Sequence, residues 1–318
     1  MSFIPHIKGH KLFHRQKEDI AFIAFSNMCL IGSLVAIALS IMLWTTQGLN
    51  YGVDFKGGSM IEIRSKEGPA DIAAIRNAVG DLGLGDVQIQ AFGTDRDVLI
   101  RVEQQQGGEK IQQETLKKVL SAVGDNYEQR RVEVVGPAVS EELRNTGFIA
   151  VLCSIIAIIC YVWFRFEWQF AIGAVVALVH DIVITIGIFS LLQLEFDLST
   201  VAALLTILGY SVNDTVVVSD RIRENLRKFK KMALPALLNR SINETLARTL
   251  MTSLTTLVVL MSLYILGGQV IRNFTFTMMF GVIIGTYSSI FIAAPMLERL
   301  GIKRDWSGIT RGAPAAAN

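Results

Sequence analysis

Asp214 and Arg248 are the two side chains best placed for chemistry, because each is an ionisable group set in or at the edge of a long apolar stretch. A charge at the centre of a bilayer costs about 2.5–3.5 kcal/mol, so such residues face a bundle interior or a hydrated path. At 100° per residue, Ser199, Thr206, Tyr210, Asn213 and Asp214 share one face of Leu198–Val218, and Asp220 continues it. In Leu246–Leu266 and the residue before it, Thr245, Arg248, Thr249, Thr252, Thr255 and Thr256 share another. Asp214 lies roughly 15 residues, or about 22 Å, into its stretch. Arg248 enters the following stretch from the same side. A carboxyl whose protonation answers to a movable guanidinium is a minimal proton relay, with Asn213 and Thr252 as its polar neighbours. The competing reading is a static ion pair that neutralises two buried charges. The run of threonines favours a hydrated path, although Ser and Thr also join helices at about 0.6 kcal/mol per contact.

The remaining polar clusters point less sharply. His180 and Asp181 form a secondary membrane cluster beside Gly173, Ala177 and Gly187, and read first as a polar pair that packs helices. His6, His10 and His14 recur every four residues; one helical face of imidazoles can hold metal, but a solvated or headgroup-facing tail is the expectation. Cys29, Cys153 and Cys160 sit in apolar runs and are expected to be buried thiols that pack as small hydrophobes. No metal-ligand spacing and no G-x-x-x-x-G-K-[ST] occurs, so neither a metal, a cofactor nor a bound nucleotide is expected.

The elements that must position these residues follow from composition. Of 318 residues 51% are hydrophobic and 18% charged, against about 25% charged in soluble domains. Residues 48–145 hold 12 Lys/Arg and 16 Asp/Glu, close to half of all the charges. That distribution describes one water-soluble domain set into a membrane protein, and its net acidity argues against nucleic acid as a partner. Six stretches are long and apolar enough to span: Ile20–Thr46, Phe148–Phe164, Phe170–Leu192, Leu198–Val218, Leu246–Leu266 and Phe274–Leu297. The first exceeds the apolar core of a signal peptide and reads as an uncleaved span.

Basic residues cluster on one side of the six spans: Lys8, Lys11, Arg15 and Lys17, then Arg165, then Arg221 to Arg240, then Arg299, Lys303 and Arg304. Both termini are therefore expected in the cytoplasm. The expected division is a tail at 1–19, a first span at 20–47, an outer domain at 48–147, a five-span bundle at 148–297 with a basic cytoplasmic loop at 219–245, and a tail at 298–318. Within the outer domain, Val53–Arg64, Val87–Phe92, Val98–Val102 and Tyr127–Val135 alternate as strands, while Pro69–Leu82 and Lys110–Val123 have helical spacing. The order β-α-β-β-α-β is ferredoxin-like. The fold class is thus a polytopic α-helical membrane protein of six transmembrane helices, with one α+β ferredoxin-like domain between the first two. Asp54, Gly57 and Gly58 read as a hinge between membrane and domain, with an ordinary turn as the alternative. Gly281-x-x-x-Gly285 marks a close helix contact, either inside the bundle or toward another subunit.

Three segments carry a resemblance: YGVDFKGGSMIEI after the first span, LGYSVNDTVVVSDRIREN ending the fourth, and NETLARTLMTS opening the fifth. With them, the chain from about Ile20 to Ile302 resembles the SecD/SecF family of protein-export membrane subunits, on its SecF side. The resemblance implies half of a proton-driven exporter of the resistance-nodulation-division superfamily, a transport subunit rather than an enzyme. Its implied partners are SecD, the SecYEG channel, SecA, YajC and unfolded preprotein, in the bacterial inner membrane. By motif, the family's proton-passing Asp and Arg fall on Asp214 and Arg248. Two rival readings remain: a small-molecule or lipid exporter half of the same superfamily, and a non-conducting assembly scaffold.

Overall fold

A computed structural model describes residues 20–302 apart from 86, 106–108 and 269. His6, His10 and His14, the basic residues of the N-terminal tail, and Lys303 and Arg304 lie outside the described residues. The elements run α1 (Phe22–Gln47), β1 (Asn50–Tyr51), α2 (Val53–Lys56), β2 (Gly58–Ser65), α3 (Ile72–Gly80), β3 (Val87–Phe92), β4 (Thr94–Val102), α4 (Glu109–Val123) and β5 (Tyr127–Val135). After them come α5 (Pro137–Arg165), α6 (Trp168–Leu192), β6 (Glu195–Phe196), α7 (Leu198–Lys228), α8 (Leu234–Leu266), α9 (Arg272–Ser288), a π-helical turn at Ser289–Ala293, and α10 (Ala294–Arg299). Six helices are long and apolar enough to cross a membrane, the last being α9 with its continuation.

The outer domain is a four-stranded antiparallel sheet in the order β3-β4-β2-β5, with α3 and α4 on one face. The strand order and the two β-α-β halves are those of a ferredoxin-like domain. Alternation places Ile61, Ile63, Val98, Ile100 and Val102 against Ile75, Val79 and Val119 in one apolar core. Burial of such side chains contributes about 1.5–3 kcal/mol each, which is what holds a layer of this size together. Asp71 caps α3 by accepting from the Ala74 N–H at 2.9 Å.

The expected strand Val53–Arg64 divides into α2 and β2. Gly57, at φ 73°, closes the short helix, and Gly58, at φ 119°, starts the strand beside the backbone of Val102. Both conformations favour glycine, which is why an alternating pattern concealed a break.

The helices also outrun the apolar stretches. α5 begins at Pro137, one residue after the strand β5, instead of near Phe148. Most of the expected basic loop 219–245 is helical, because α7 continues to Lys228 and α8 starts at Leu234. At about 46 Å, α7 is longer than the roughly 30 Å of a hydrocarbon core. Its extension is amphipathic: Ile222 and Leu226 pack with Leu237, Leu238 and Ile242 of α8, all buried. Composition marks where lipid contact stops, not where the helix stops.

Inside the bundle, close contacts are made by small residues. A Cβ at Gly281 of α9 would overlap Ile207 of α7, and one at Gly187 of α6 would overlap Ser40 of α1. Gly281-x-x-x-Gly285 is thus an internal seam between α9 and α7. The cysteines depart from expectation: Cys153 and Cys160 are exposed on α5, whose apolar window is little covered, and Cys29 is half-buried.

Candidate functional site

α7 is positioned at its head by two carboxylates. Asp197 accepts from the Thr200 N–H at 2.7 Å, and Asp54 of α2 accepts from the Leu198 N–H at 2.9 Å. Both satisfy orphan donors of the helix N-terminus and complement its positive end. Four turns further along, Asp214 is half-buried and faces the other helices of the bundle. It accepts hydrogen bonds from Thr249 Oγ1 of α8 at 2.6 Å and from Ser289 of the π-helical turn.

Arg248 is adjacent but not bonded to Asp214. It lies close enough for its charge to act on the carboxyl, yet no ion pair within 4.0 Å joins them among the described residues. Arg248, Asn213 and Thr252 are exposed, and Thr252 donates to the Arg248 carbonyl of its own helix at 2.9 Å. Thr206 and Thr255 are exposed as well. The polar faces read from 100° spacing therefore split. Asp214 and Thr249 turn into the bundle, while Asn213, Arg248 and Thr252 lie on an open surface of α7 and α8.

His180 and Asp181 are 1% and 0% exposed, the most buried ionisable residues among those described. His180 Nδ1 lies 2.9 Å from Asp181 Oδ1, and His180 Nε2 lies 3.2 Å from Ser33 Oγ of α1. Asp181 Oδ2 accepts from Ser211 of α7 at 2.6 Å and from Ser288 of α9 at 2.9 Å. Ser33 Oγ is also 3.0 Å from the Tyr287 hydroxyl, which donates to the Cys29 carbonyl at 2.9 Å. The Tyr287 ring stacks on His180 with centroids 5.9 Å apart. Four helices thus meet on one carboxyl–imidazole pair. The sequence shows the pair itself; Ser33, Ser211 and Tyr287 carry no signal until the helices are in register.

The third group of residues joins domain to bundle. β1 pairs in parallel with β6, Asn50 opposite Glu195 and Tyr51 opposite Phe196, and the Gly52 N–H donates to the Phe196 carbonyl at 2.9 Å. Arg101 of β4 approaches Glu195 at 2.6 Å, with 11% and 18% of the two side chains exposed. Their contact is an ion pair without an aligned hydrogen bond, since Arg101 Nε and Nη2 have no hydrogen-bond acceptor. Burial pushes the Glu195 carboxyl above the ordinary carboxylate range, and Arg101 opposes that push. Asp54 belongs to this joint through Leu198, and Gly57 and Gly58 sit in close-packed positions beside Gln104 and the Val102 backbone. Two openings, of about 410 and 460 Å³, lie at this joint and not at Asp214.

Among the described residues no cluster of three His, Cys, Asp or Glu side chains occurs. What the arrangement offers is protonatable groups bonded to rotatable hydroxyls inside a helix bundle.

Comparison with known proteins agrees with this architecture. The family described as protein export membrane protein SecD/SecF, C-terminal, matches residues 115–303, and the SecD/SecF GG motif matches residues 43–68. The chain is 51% identical over 281 residues to the protein translocase subunit SecF of Magnetococcus marinus, covering 87% of this chain and 90% of that one. It is 44% identical over 293 residues to that of Vibrio alginolyticus, covering 92% and 93%. It also matches the crystal structure of SecDF, a translocon-associated membrane protein from Thermus thermophilus, with a TM-score of 0.80 and 35% identity. That match covers 89% of this chain and 39% of the longer SecDF chain.

Proposed function

This chain belongs to the SecD/SecF family of protein-export membrane proteins, and we propose that, as a SecF-type subunit of Sec-dependent export, it uses the proton motive force to help move secreted polypeptide across the membrane. Asp214 is the proton-carrying group in this reading. The observation that carries it is an acid at membrane depth whose partners inside the chain are the neutral hydroxyls of Thr249 and Ser289.

The exposed polar surface beside Asp214 supports a partner. Asn213, Arg248 and Thr252 would face lipid in the isolated chain, a costly arrangement for an arginine at that depth. A second set of spans laid on α7 and α8 would enclose them and place Asp214 between the two halves. Relatives in which SecD and SecF form one chain make SecD the natural occupant. The SecYEG channel, SecA, YajC and preprotein complete the expected set of partners. The distribution of basic residues supports a topology with both termini in the cytoplasm and the sheet domain on the far side.

The energies are adequate. A proton falling through 100 mV releases about 2.3 kcal/mol, and each pH unit adds about 1.4 kcal/mol. Moving a two-state equilibrium from 1:99 to 99:1 takes about 5.5 kcal/mol. One proton biases such a switch and two can throw it. Protonation of Asp214 removes the charge that Arg248 faces, and α7 and α8 repack. The change reaches the outer domain through the head of α7, where Asp54 is bonded to Leu198.

Vesicles containing this chain with its SecD partner should conduct protons under an imposed pH gradient and secrete more preprotein when the gradient is present. Asp214→Asn should assemble normally and lose both responses. A well-assembled Asp214→Asn complex with normal current and export refutes the reading, and an absent current in the unmodified complex favours a scaffold.

A further inference from the structure

The carboxyl–imidazole pair in the bundle interior is more than helix packing requires. Two helices can be joined by a Ser–Asn contact with no ionisable group, and burying an unpaired charge is expensive. Here the pair is surrounded by groups that serve either protonation state. Ser33, Ser211, Ser288 and Tyr287 each carry a hydroxyl that can turn to donate or to accept.

A second observation ties the pair to Asp214. Ser288 bonds Asp181 while the next residue, Ser289, bonds Asp214. Consecutive helical residues point about 100° apart, so one helix touches both carboxyls at the same level. At this point the helix changes character: α9 ends at Ser288 and the π-helical turn Ser289–Ala293 begins. Single π-turns interrupt the regular bonding of a helix and recur at functional sites. Here the interruption falls between the two serines.

We infer that His180 and Asp181 are a second proton-holding station, coupled to Asp214 through the consecutive serines Ser288 and Ser289. The inference rests on the reading of Asp214 given above. Loading adds one proton to the pair, held on Asp181 or on His180, and unloading removes it; no other bond is made or broken. Other titratable groups nearby are Tyr287 on α9, whose ring stacks on His180, and Asp214 on α7, bonded by the next serine. Among the described residues no lysine or arginine is hydrogen-bonded to the pair. Ser288 and Ser289 re-aim as the load passes between the two carboxyls they bond.

The test uses the complex with SecD in vesicles under a pH gradient, comparing Asp181→Asn, Ser288→Ala and Asp214→Asn. Asp181→Asn should lower proton-driven export by about a hundredfold while assembly is retained. Ser288→Ala leaves the His180–Asp181 bond in place and should shift the midpoint of the pH–export profile by about one unit. Normal export by Asp181→Asn, or an unmoved profile in Ser288→Ala, overturns the inference. If Asp181→Asn fails to assemble, the Ser288→Ala profile decides alone. An inactive Asp214→Asn beside a normal Asp181→Asn defeats only the second station, whereas a normal Asp214→Asn defeats the reading beneath it.

Discussion

Asp54, in the segment that enters the outer domain, caps the helix that carries Asp214: its Oδ2 accepts from the Leu198 N–H at 2.9 Å. This bond links residues 144 positions apart and places a side chain from the domain's entry segment on the backbone of α7. Removing an N-terminal capping carboxylate costs about 0.5–2 kcal/mol. Asp54→Ala should therefore raise hydrogen exchange at the first turn of α7 and lower export, while proton conduction persists. Asp54→Asn, which keeps an acceptor oxygen, should restore most of the protection. Equal exchange in Asp54→Ala and the unmodified protein would show that Asp197 alone fixes the helix head.

The buried Glu195 carboxyl should give the joint a pH response. Burial holds the Glu195 carboxyl above its ordinary 4.5, so between that value and the folded one the folded state binds more protons than the unfolded. Stability from this group is thus highest at low pH and falls as pH rises through the folded pKa. Hydrogen exchange at the Gly52 amide, corrected for its intrinsic pH dependence, should show that loss of protection. Glu195→Gln should flatten the profile and leave the joint intact at neutral pH. Arg101→Met should be worse, by about 3–5 kcal/mol, because it strands a buried carboxylate.

Gly57 and Gly58 separate on substitution. A Cβ at Gly58 would overlap the Val102 carbonyl of the neighbouring strand, a backbone atom that cannot move aside. At Gly57 the nearest atom is the end of the Gln104 side chain, which can. Both positions add backbone strain of about 1–3 kcal/mol in any residue but glycine. Gly57→Ala should lower the melting temperature of the complex yet leave export measurable, whereas Gly58→Ala should abolish the folded domain. Similar melting for the two variants would mean that strain, not the close approach, governs this corner.

Much of this was legible in the residues themselves. Six apolar stretches and the β-α-β-β-α-β alternation are local patterns, and each reappears in the structure. Asp214, His180 and Asp181 stood out because ionisable groups are rare at membrane depth. Their partners did not. Ser289 and Ser211 look like small packing residues until helix register brings them to a carboxyl, and register is a long-range property. Arg248 reads as the partner of Asp214 from sequence depth; in the structure it is exposed beside Asp214, whose hydrogen bonds come from Thr249 and Ser289 instead. The extensions of α7 and α8 were hidden because their buried face is amphipathic, and charge density there suggests a loop.

A single residue, Gly136, separates the last strand of the sheet from the second span, and only Gly48 and Leu49 separate the first span from β1. Such tethers reach no further than about 7 Å at full stretch. The sheet domain therefore stays close to the outer end of α5, while on its other side residues 48–57 pass through β1, paired with β6, before the sheet begins at Gly58. A larger displacement of the domain from the bundle would require the outer turns of α5 between Pro137 and Gly147 to unwind.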